Sequence, residues 1–256
     1  VDYISICSPN YLHDSHIRYA LRIGAHCICE KPLTLRPWNI DGLSSVSQSA
    51  DKKVFTILQL RLHESVIALK RQVEDQLKSD PNHIFDVELT YITSRGNWYY
   101  ASWKGDEEKS GGIATNIGVH FFDMLHWIFG PLQQQKVHAR SHDRASGVLR
   151  FKNANVRWFL SINAATLPEK VVQSGGRVHR SLRFDQWSFD FTEGFTELHS
   201  RSYAHILNDK GFSERDAQPA ISIVHGMRES LISPLDSEAH PLASLPQDPH
   251  PFYPLK

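Results

Sequence analysis

No Gly-x-Gly-x-x-Gly occurs in these 256 residues, and none of the 14 glycines stands two positions from another. The turn that cradles phosphate in dinucleotide-binding sheets is therefore not found within the chain. An excess of either charge is also missing. Lys plus Arg and Asp plus Glu number 28 each, so no overall field draws the chain to nucleic acid or an anionic membrane, and any anionic ligand must be held by local groups. Three cysteines are too few and too scattered for a disulfide framework. Cys27 and Cys29, two apart on one face of an apolar run, read as reduced core thiols. The pairs His13/His16 and His240/His250 fit no closed Cys/His spacing, so no metal site is expected. Gly111-Gly112 and Gly175-Gly176 read as turns, since neither is framed by strand and helix as a phosphate loop requires. Long apolar runs are absent as well: the stretch from Phe121 to Phe129 is broken by Asp123 and His126 and is too short to span a bilayer. The opening residues have neither a basic leader nor a cleavage-type end. These absences point to the cytoplasm.

The apolar content that is present, 41%, is ordinary for a globular protein. Residues 2–7, 25–30 and 53–58 read as strands, the first of them buried, and 14–23 and 38–50 as the helices between them. Such alternation implies βαβ units on a parallel sheet. The fold class expected is α/β: a partial Rossmann-type parallel sheet over residues 1–60, whose glycine turn would lie upstream of residue 1, as in an amino-terminally truncated enzyme that is active at full length and inactive as this fragment alone. A helix over 64–79 and an alternating segment over 84–94 follow. Further β-rich runs at 134–141, 146–152, 155–163 and 179–192 have no helices between them. Strands in succession predict a mainly antiparallel open sheet with one face free, in an α+β substrate-binding and oligomerisation domain over 61–232. Helices at 196–208 and 215–231 close it. The proline-rich remainder, 233–256, reads as an extended tail packed on the surface or on a partner subunit, with disorder as the alternative.

Two segments carry the chemistry. Glu30-Lys31-Pro32 ends the second strand, which puts an ammonium group at the carboxyl edge of a parallel sheet, where open α/β folds bind ligands. The segment 110–123 begins with a glycine turn and continues as an apolar helix, with Asn116, His120 and Asp123 at i, i+4 and i+7 on one stripe. Asp123 reads as a structural anchor, since buried carboxylates are usually paired.

Taken together, Ile4 to His13 (ISICSPNYLH), Cys29 to Pro32 (CEKP) and Asn116 to Asp123 (NIGVHFFD) resemble the glucose-fructose oxidoreductase / inositol dehydrogenase family, Gfo/Idh/MocA. The stretches 89–99, 102–106 and 193–199 resemble more narrowly its bacterial UDP-N-acetyl-glucosaminuronate 3-dehydrogenases, enzymes of lipopolysaccharide sugar synthesis. The resemblance implies NAD as cofactor and oxidation of a sugar hydroxyl to a ketone, here the 3-hydroxyl of a UDP-sugar. It also implies His120 as general acid/base, Lys31 on the reacting oxygen and Asn116 beside them. Many relatives carry Asp where this chain has Asn116, so His120 should be less biased towards its charged form. Cofactor contacts are expected at Ser8, Pro9, Asn10, His13, Glu30, Lys31 and Gln59. Substrate contacts are expected at Arg61, His63, Arg95, Asn97, Trp98, Tyr99, Trp103 and Lys104, where Arg can fork onto carboxylate or phosphate and aromatic rings can stack. A 2-oxoacid could recycle the cofactor, and a homodimer or homotetramer fits the open sheet. A free sugar or inositol as substrate, or a non-catalytic oligomerisation module, are the competing expectations.

Overall fold

The apolar runs near the start of the chain pair as parallel strands in the computed structural model, which describes residues 1–185, 187–189 and 197–252. Strand β1 (Tyr3–Ile6), helix α1 (His13–Arg22), β2 (His26–Cys29), α2 (Pro37–Ala50) and β3 (Val54–Thr56) alternate as two βαβ units. Ile4 lies opposite Cys27, and Cys27 opposite Val54. Helix α1 runs out before Gly24, whose φ of 81° reverses the chain. Helix α2 opens on Pro37, where a missing N–H costs nothing. Both cysteines of β2 are buried. β1 is the exception to expectation: Tyr3 and Ser5 are exposed, because β1 pairs with β2 alone among the described residues and so has one open edge.

Beyond α3 (Glu64–Ser79) comes β4 (Phe85–Thr93), then three short helices, α4 (Trp98–Ala101), α5 (Glu107–Ser110) and α6 (Gly112–Asn116), and the longer α7 (Val119–Phe129). Strands β5 (Leu132–Arg140), β6 (Arg144–Phe151) and β7 (Ala154–Ser161), helix α8 (Glu169–Gln173) and strands β8 (Val178–Phe184) and β9 (Trp187–Phe189) follow. The six strands lie in the order β5-β6-β7-β4-β8-β9, antiparallel except for β4 against β7. Period-2 alternation sends Leu89 and its partner Trp158 to one face, where the Trp158 ring meets Phe122 of α7 edge-on, centroids 5.2 Å apart. The β-rich run expected over 179–192 forms a hairpin of β8 and β9 beside Asp185, which takes a left-handed φ of 47°. Residues 186 and 190–192 of that run, and 193–196 of the motif at 193–199, lie outside the described residues.

Helix α9 (Leu198–Leu207), strand β10 (Phe212–Ser213) and helix α10 (Glu214–Glu229) bring the chain back to the first sheet, where Phe212 pairs antiparallel with Thr56 of β3. The following segment is packed rather than loose. Ile232 bridges to Val137, and His240 is buried, its Nε2 donating to Thr90 Oγ1 at 2.9 Å and its ring stacked 5.5 Å from Phe159. Arg144 donates to the carbonyls of Leu245 and Pro246 at 3.0 and 2.9 Å. Part of the sheet face expected to be free is thus covered by the chain's own residues, because Thr90 and Phe159 offer it an apolar ledge. No helix among the described residues is long and apolar enough to cross a membrane.

Arg61 joins the pieces. Its Nε and Nη2 fork onto both oxygens of Asp123 on α7, at 3.0 and 2.7 Å, while Nη1 and Nη2 reach Asp216 Oδ1 and its carbonyl on α10, at 3.3 and 3.1 Å. Arg61 and Asp123 are both buried, and burial pushes the Asp123 carboxyl up while Arg61 holds it down. The expectation that Arg61 binds substrate is corrected here: its donors are committed to two helices. His63 is likewise committed, its Nδ1 accepting from the Ser65 N–H at 3.2 Å as the cap of α3. Removing one partner of a buried pair leaves the other charge uncompensated, so Arg61→Ala should lower stability by about 3–5 kcal/mol. Denaturant unfolding of the variant beside the parent checks it, and a loss below about 1 kcal/mol would show that the pair does not hold the helices together.

Candidate active site

β2 ends at the carboxyl edge of its sheet, and Glu30-Lys31-Pro32 turn there towards the second sheet, with a cis Lys31–Pro32 bond. The helix expected to run unbroken through Asn116, His120 and Asp123 is interrupted at Ile117-Gly118. The chain there passes so close to its neighbours that a Cβ on Gly118 would sit 2.5 Å from the Ala114 carbonyl and from Leu160 Cδ1. The break leaves the Asn116 carbonyl at a helix end, where it needs a partner. Lys31 Nζ donates to it at 2.9 Å.

Asn116 is the hub of the site. Its Nδ2 donates to Tyr99 Oη at 2.7 Å and its Oδ1 accepts from Asn10 Nδ2 at 3.4 Å, while the same Asn10 nitrogen reaches the Ser110 carbonyl at 2.8 Å. Asn116, Asn10 and Tyr99 are all buried. Burial pushes the Tyr99 hydroxyl up to about 12, leaving it neutral. His120 and Lys31 lie beside this network and face the same cavity. Burial, with help from Lys104 and Arg95 and against Glu30, pulls Lys31 down to about 8. Burial and the neighbouring Lys31, His199 and Arg180 hold His120 well below its ordinary value. Near pH 7 the pair is therefore an ammonium beside a neutral imidazole, one donor of charge and one acceptor of protons.

The cavity measures about 200 Å³ and is lined by Lys31, Arg95, Lys104, His120, Asn116, Tyr99 and Trp98, with Tyr91 and Ile117. Three cations and no carboxylate line it, and neither Arg95 nor Lys104 has an ion-pair partner among the described residues. Lys104 Nζ lies 5.3 Å from the Trp98 ring centre and 5.4 Å from that of Trp103, a cation–π arrangement. Seven of the residues named from sequence are thus gathered. Asn97 is exposed beside the cavity and Trp103 backs Lys104 without lining it. Sequence reasoning missed Tyr91 and Arg180. These are register partners on β4 and β8, with the guanidinium 5.3 Å from the ring centre, and only strand pairing across 89 residues of chain brings them to the site.

On the other side of Lys31, a narrow and mostly apolar cleft runs between Pro32, Leu33, Thr56, Leu58, Val119 and His120. Thr56 Oγ1 and Gln59 Oε1 are buried near the end of β3 with no hydrogen-bond partner among the described residues. The cleft itself holds only about 10 Å³, so what fits the amide end of a nicotinamide is the chemistry of the two orphaned oxygens, Thr56 Oγ1 on the cleft and Gln59 Oε1 beyond it, since buried polar groups require partners. Ser8 and Pro9 remain part-exposed at the same edge, although the Ser8 hydroxyl pairs with His16 Nδ1 at 2.9 Å. Glu30 Oε1 lies 3.1 Å from His199 Nε2. Asn10 and His13 are buried ties rather than open contacts. No group of three metal-ligating side chains occurs among the described residues.

Two domain models match this chain: an oxidoreductase-family NAD-binding Rossmann fold over residues 1–58, and an oxidoreductase-family C-terminal alpha/beta domain over residues 82–179. Among solved structures it is similar to the WlbA (WbpB) dehydrogenase from Thermus thermophilus in complex with NAD and alpha-ketoglutarate, with 45% identity and a TM-score of 0.89 over 94% of this chain and 77% of that one. The complex of that dehydrogenase with NAD and UDP-GlcNAcA gives 44% identity and 0.89 over the same shares. Among curated proteins, the myo-inositol 2-dehydrogenase of Thermotoga maritima is 28% identical over 166 residues, 60% of this chain and 47% of that protein. The chain spans about half the length of such curated relatives.

A carboxylate in place of the Asn116 amide would favour the imidazolium, so Asn116→Asp should raise the His120 pKa towards its ordinary range. Histidine NMR titration of variant and parent measures this directly. An unmoved His120 would separate the two side chains electrostatically.

Proposed function

Since the chain belongs to the Gfo/Idh/MocA oxidoreductase family, we propose that it serves an NAD-dependent oxidation of the 3-hydroxyl of a UDP-linked, N-acetylated uronic acid. The observation that carries this reading is the cavity itself, where a proton acceptor and an ammonium meet inside a wall of three cations without a carboxylate. A uronate on a diphosphate carries the negative charges such a wall would hold. The similarity to a dehydrogenase solved with NAD and UDP-GlcNAcA supports the same choice.

In this mechanism NAD, when bound, supplies the hydride acceptor. The neutral imidazole of His120 accepts the proton of the reacting hydroxyl. The Lys31 ammonium, anchored to the Asn116 carbonyl, hydrogen-bonds the oxygen as negative charge develops on it. Arg95 forks onto a carboxylate or phosphate, Trp98 offers a stacking face, and Tyr91 and Ile117 keep water from the reacting carbon. Beyond Lys104 a second cavity of about 300 Å³ is lined by Arg140, Arg228 and His142 together with Glu107, room for the nucleotide end of the substrate. A 2-oxoacid is also an anion that the cationic wall would accept, and the relative solved with alpha-ketoglutarate supports it as the reoxidant. Lipopolysaccharide sugar synthesis in the cytoplasm, by a homo-oligomer, completes the reading.

Formation of reduced nicotinamide by the full chain with NAD and UDP-N-acetyl-glucosaminuronic acid, with and without a 2-oxoacid, tests the assignment. Oxidation of inositol or glucose in preference to the UDP-uronate would move the substrate to a free polyol. His120→Ala should lower kcat by about 10²–10⁴-fold while leaving NAD affinity within about twofold. Because Lys31 must be charged in this scheme, kcat/KM should fall as pH rises through about 8. A profile that climbs through the same pH would make neutral Lys31 the base instead.

A further inference from the structure

His13 is the first residue of α1, 1% exposed, and both of its ring nitrogens face backbone carbonyls: Nδ1 lies 2.7 Å from Pro32 O and Nε2 lies 2.8 Å from Ser8 O. These two carbonyls belong to different loops. Ser8 follows β1 and opens the loop proposed to meet the cofactor, while Pro32 follows β2 and is bonded to Lys31. One imidazole therefore spans the two βα turns at the carboxyl edge of the sheet. We propose that His13 is a positioning residue with two separable duties, its Nε2 fixing the Ser8 loop for the cofactor and its Nδ1 fixing the turn that aims Lys31. The cofactor half of this inference rests on the function proposed above, whereas the Lys31 half does not.

The chemistry of the ring sharpens the assignment. A neutral imidazole has one N–H, and its other nitrogen presents a lone pair, which a carbonyl oxygen at such a distance repels. In the imidazolium both bonds hold together, and in the neutral ring, which burial favours, the single N–H serves one carbonyl at a time. Burial works against that charge and lowers the His13 pKa, while the two carbonyls and Glu30 favour the charge and Lys31 opposes it. Glu30 and Lys31 are the charged groups acting on the ring, and both flank the turn that His13 holds. Asn10 does parallel work from the same loop, bonding to Ser110 and Asn116. The two tethers converge on one result: Lys31 is held from the Pro32 side by His13 and from the Nζ side by Asn116.

Side-chain amides can separate the duties. The nitrogen of Asn falls where Nδ1 stands, and that of Gln falls where Nε2 stands, so His13→Asn keeps the Pro32 tether and His13→Gln keeps the Ser8 tether. Two readouts independent of turnover follow: the Kd for NAD, and the pH midpoint of Lys31 acetylation in competitive labelling of the full chain. For His13→Asn the expected result is NAD affinity weakened about tenfold, the size of one lost hydrogen bond, with the Lys31 midpoint unchanged near about 8. For His13→Gln the pattern reverses: NAD affinity stays within about twofold, and the Lys31 midpoint rises by about one unit or more towards its ordinary value as the turn opens to water. His13→Ala should lose both. Thermal unfolding of each variant guards against a merely structural role, in which Asn and Gln would shift both readouts together and in proportion to lost stability. That common pattern, or a Lys31 midpoint unmoved in every variant, would overturn the proposal. A parent protein that carries the glycine turn and still does not bind NAD would defeat the proposed function, and the Lys31 midpoint would still decide the Nδ1 tether.

Discussion

The hydrogen bond from Lys31 Nζ to the Asn116 carbonyl joins the two halves of the site. It crosses from the edge of the parallel sheet to the end of a short helix packed on the other sheet. Neither partner would be available without a local irregularity: the strand must stop at Lys31-Pro32, and the helix must break at Gly118 to leave a carbonyl unspent. Losing water pulls the ammonium down to about 8, and the neighbouring cations Lys104 and Arg95 add to that pull. Burial first, and then the same crowding of positive charge, holds His120 neutral. One electrostatic circumstance thus sets both members of the pair and keeps the wall of the cavity ready for an anion.

That arrangement survives only if the two sheets keep their distance, and the scaffold under it is built from committed charges. Arg61 binds α7 and α10 through Asp123 and Asp216, and β10 adds a strand to the first sheet at Phe212. His13, Asn10 and Tyr99 tie the loops around Lys31 and Asn116 through buried polar contacts. Such networks are costly when incomplete and specific when satisfied. Thr56 Oγ1, on the cleft beside Lys31, and Gln59 Oε1, beyond the end of β3, have no hydrogen-bond partner among the described residues and are left for the proposed cofactor to meet.

Much of the parallel sheet was legible from the runs at 2–7, 25–30 and 53–58 and the helices between them, because such alternation implies βαβ units. Lys31, Asn116 and His120 were legible as a group from their motifs. Arg61 and His63 were misread as substrate contacts for an identifiable reason: a cation at the end of a strand looks the same in sequence whether it faces ligand or a buried carboxylate, and Asp216 lies 155 residues further along the chain. The break at Gly118 was hidden too, since hydrophobic periodicity carries through Ile117 while the close approach of Leu160 comes from a distant strand.

By itself, then, the sequence determined the alternation of strands and helices in the first sheet, which family the chain resembles and which titratable groups are rare enough to carry chemistry. Those properties follow from local spacing and residue type. Only the tertiary structure decided which cations are free for an anion and which are spent, how far Lys31 and His120 depart from their ordinary protonation, and that Arg180 stands by the cavity. Each of these depends on burial and on partners far away in the chain, and neither desolvation nor a distant carboxylate is written in the residues that feel it.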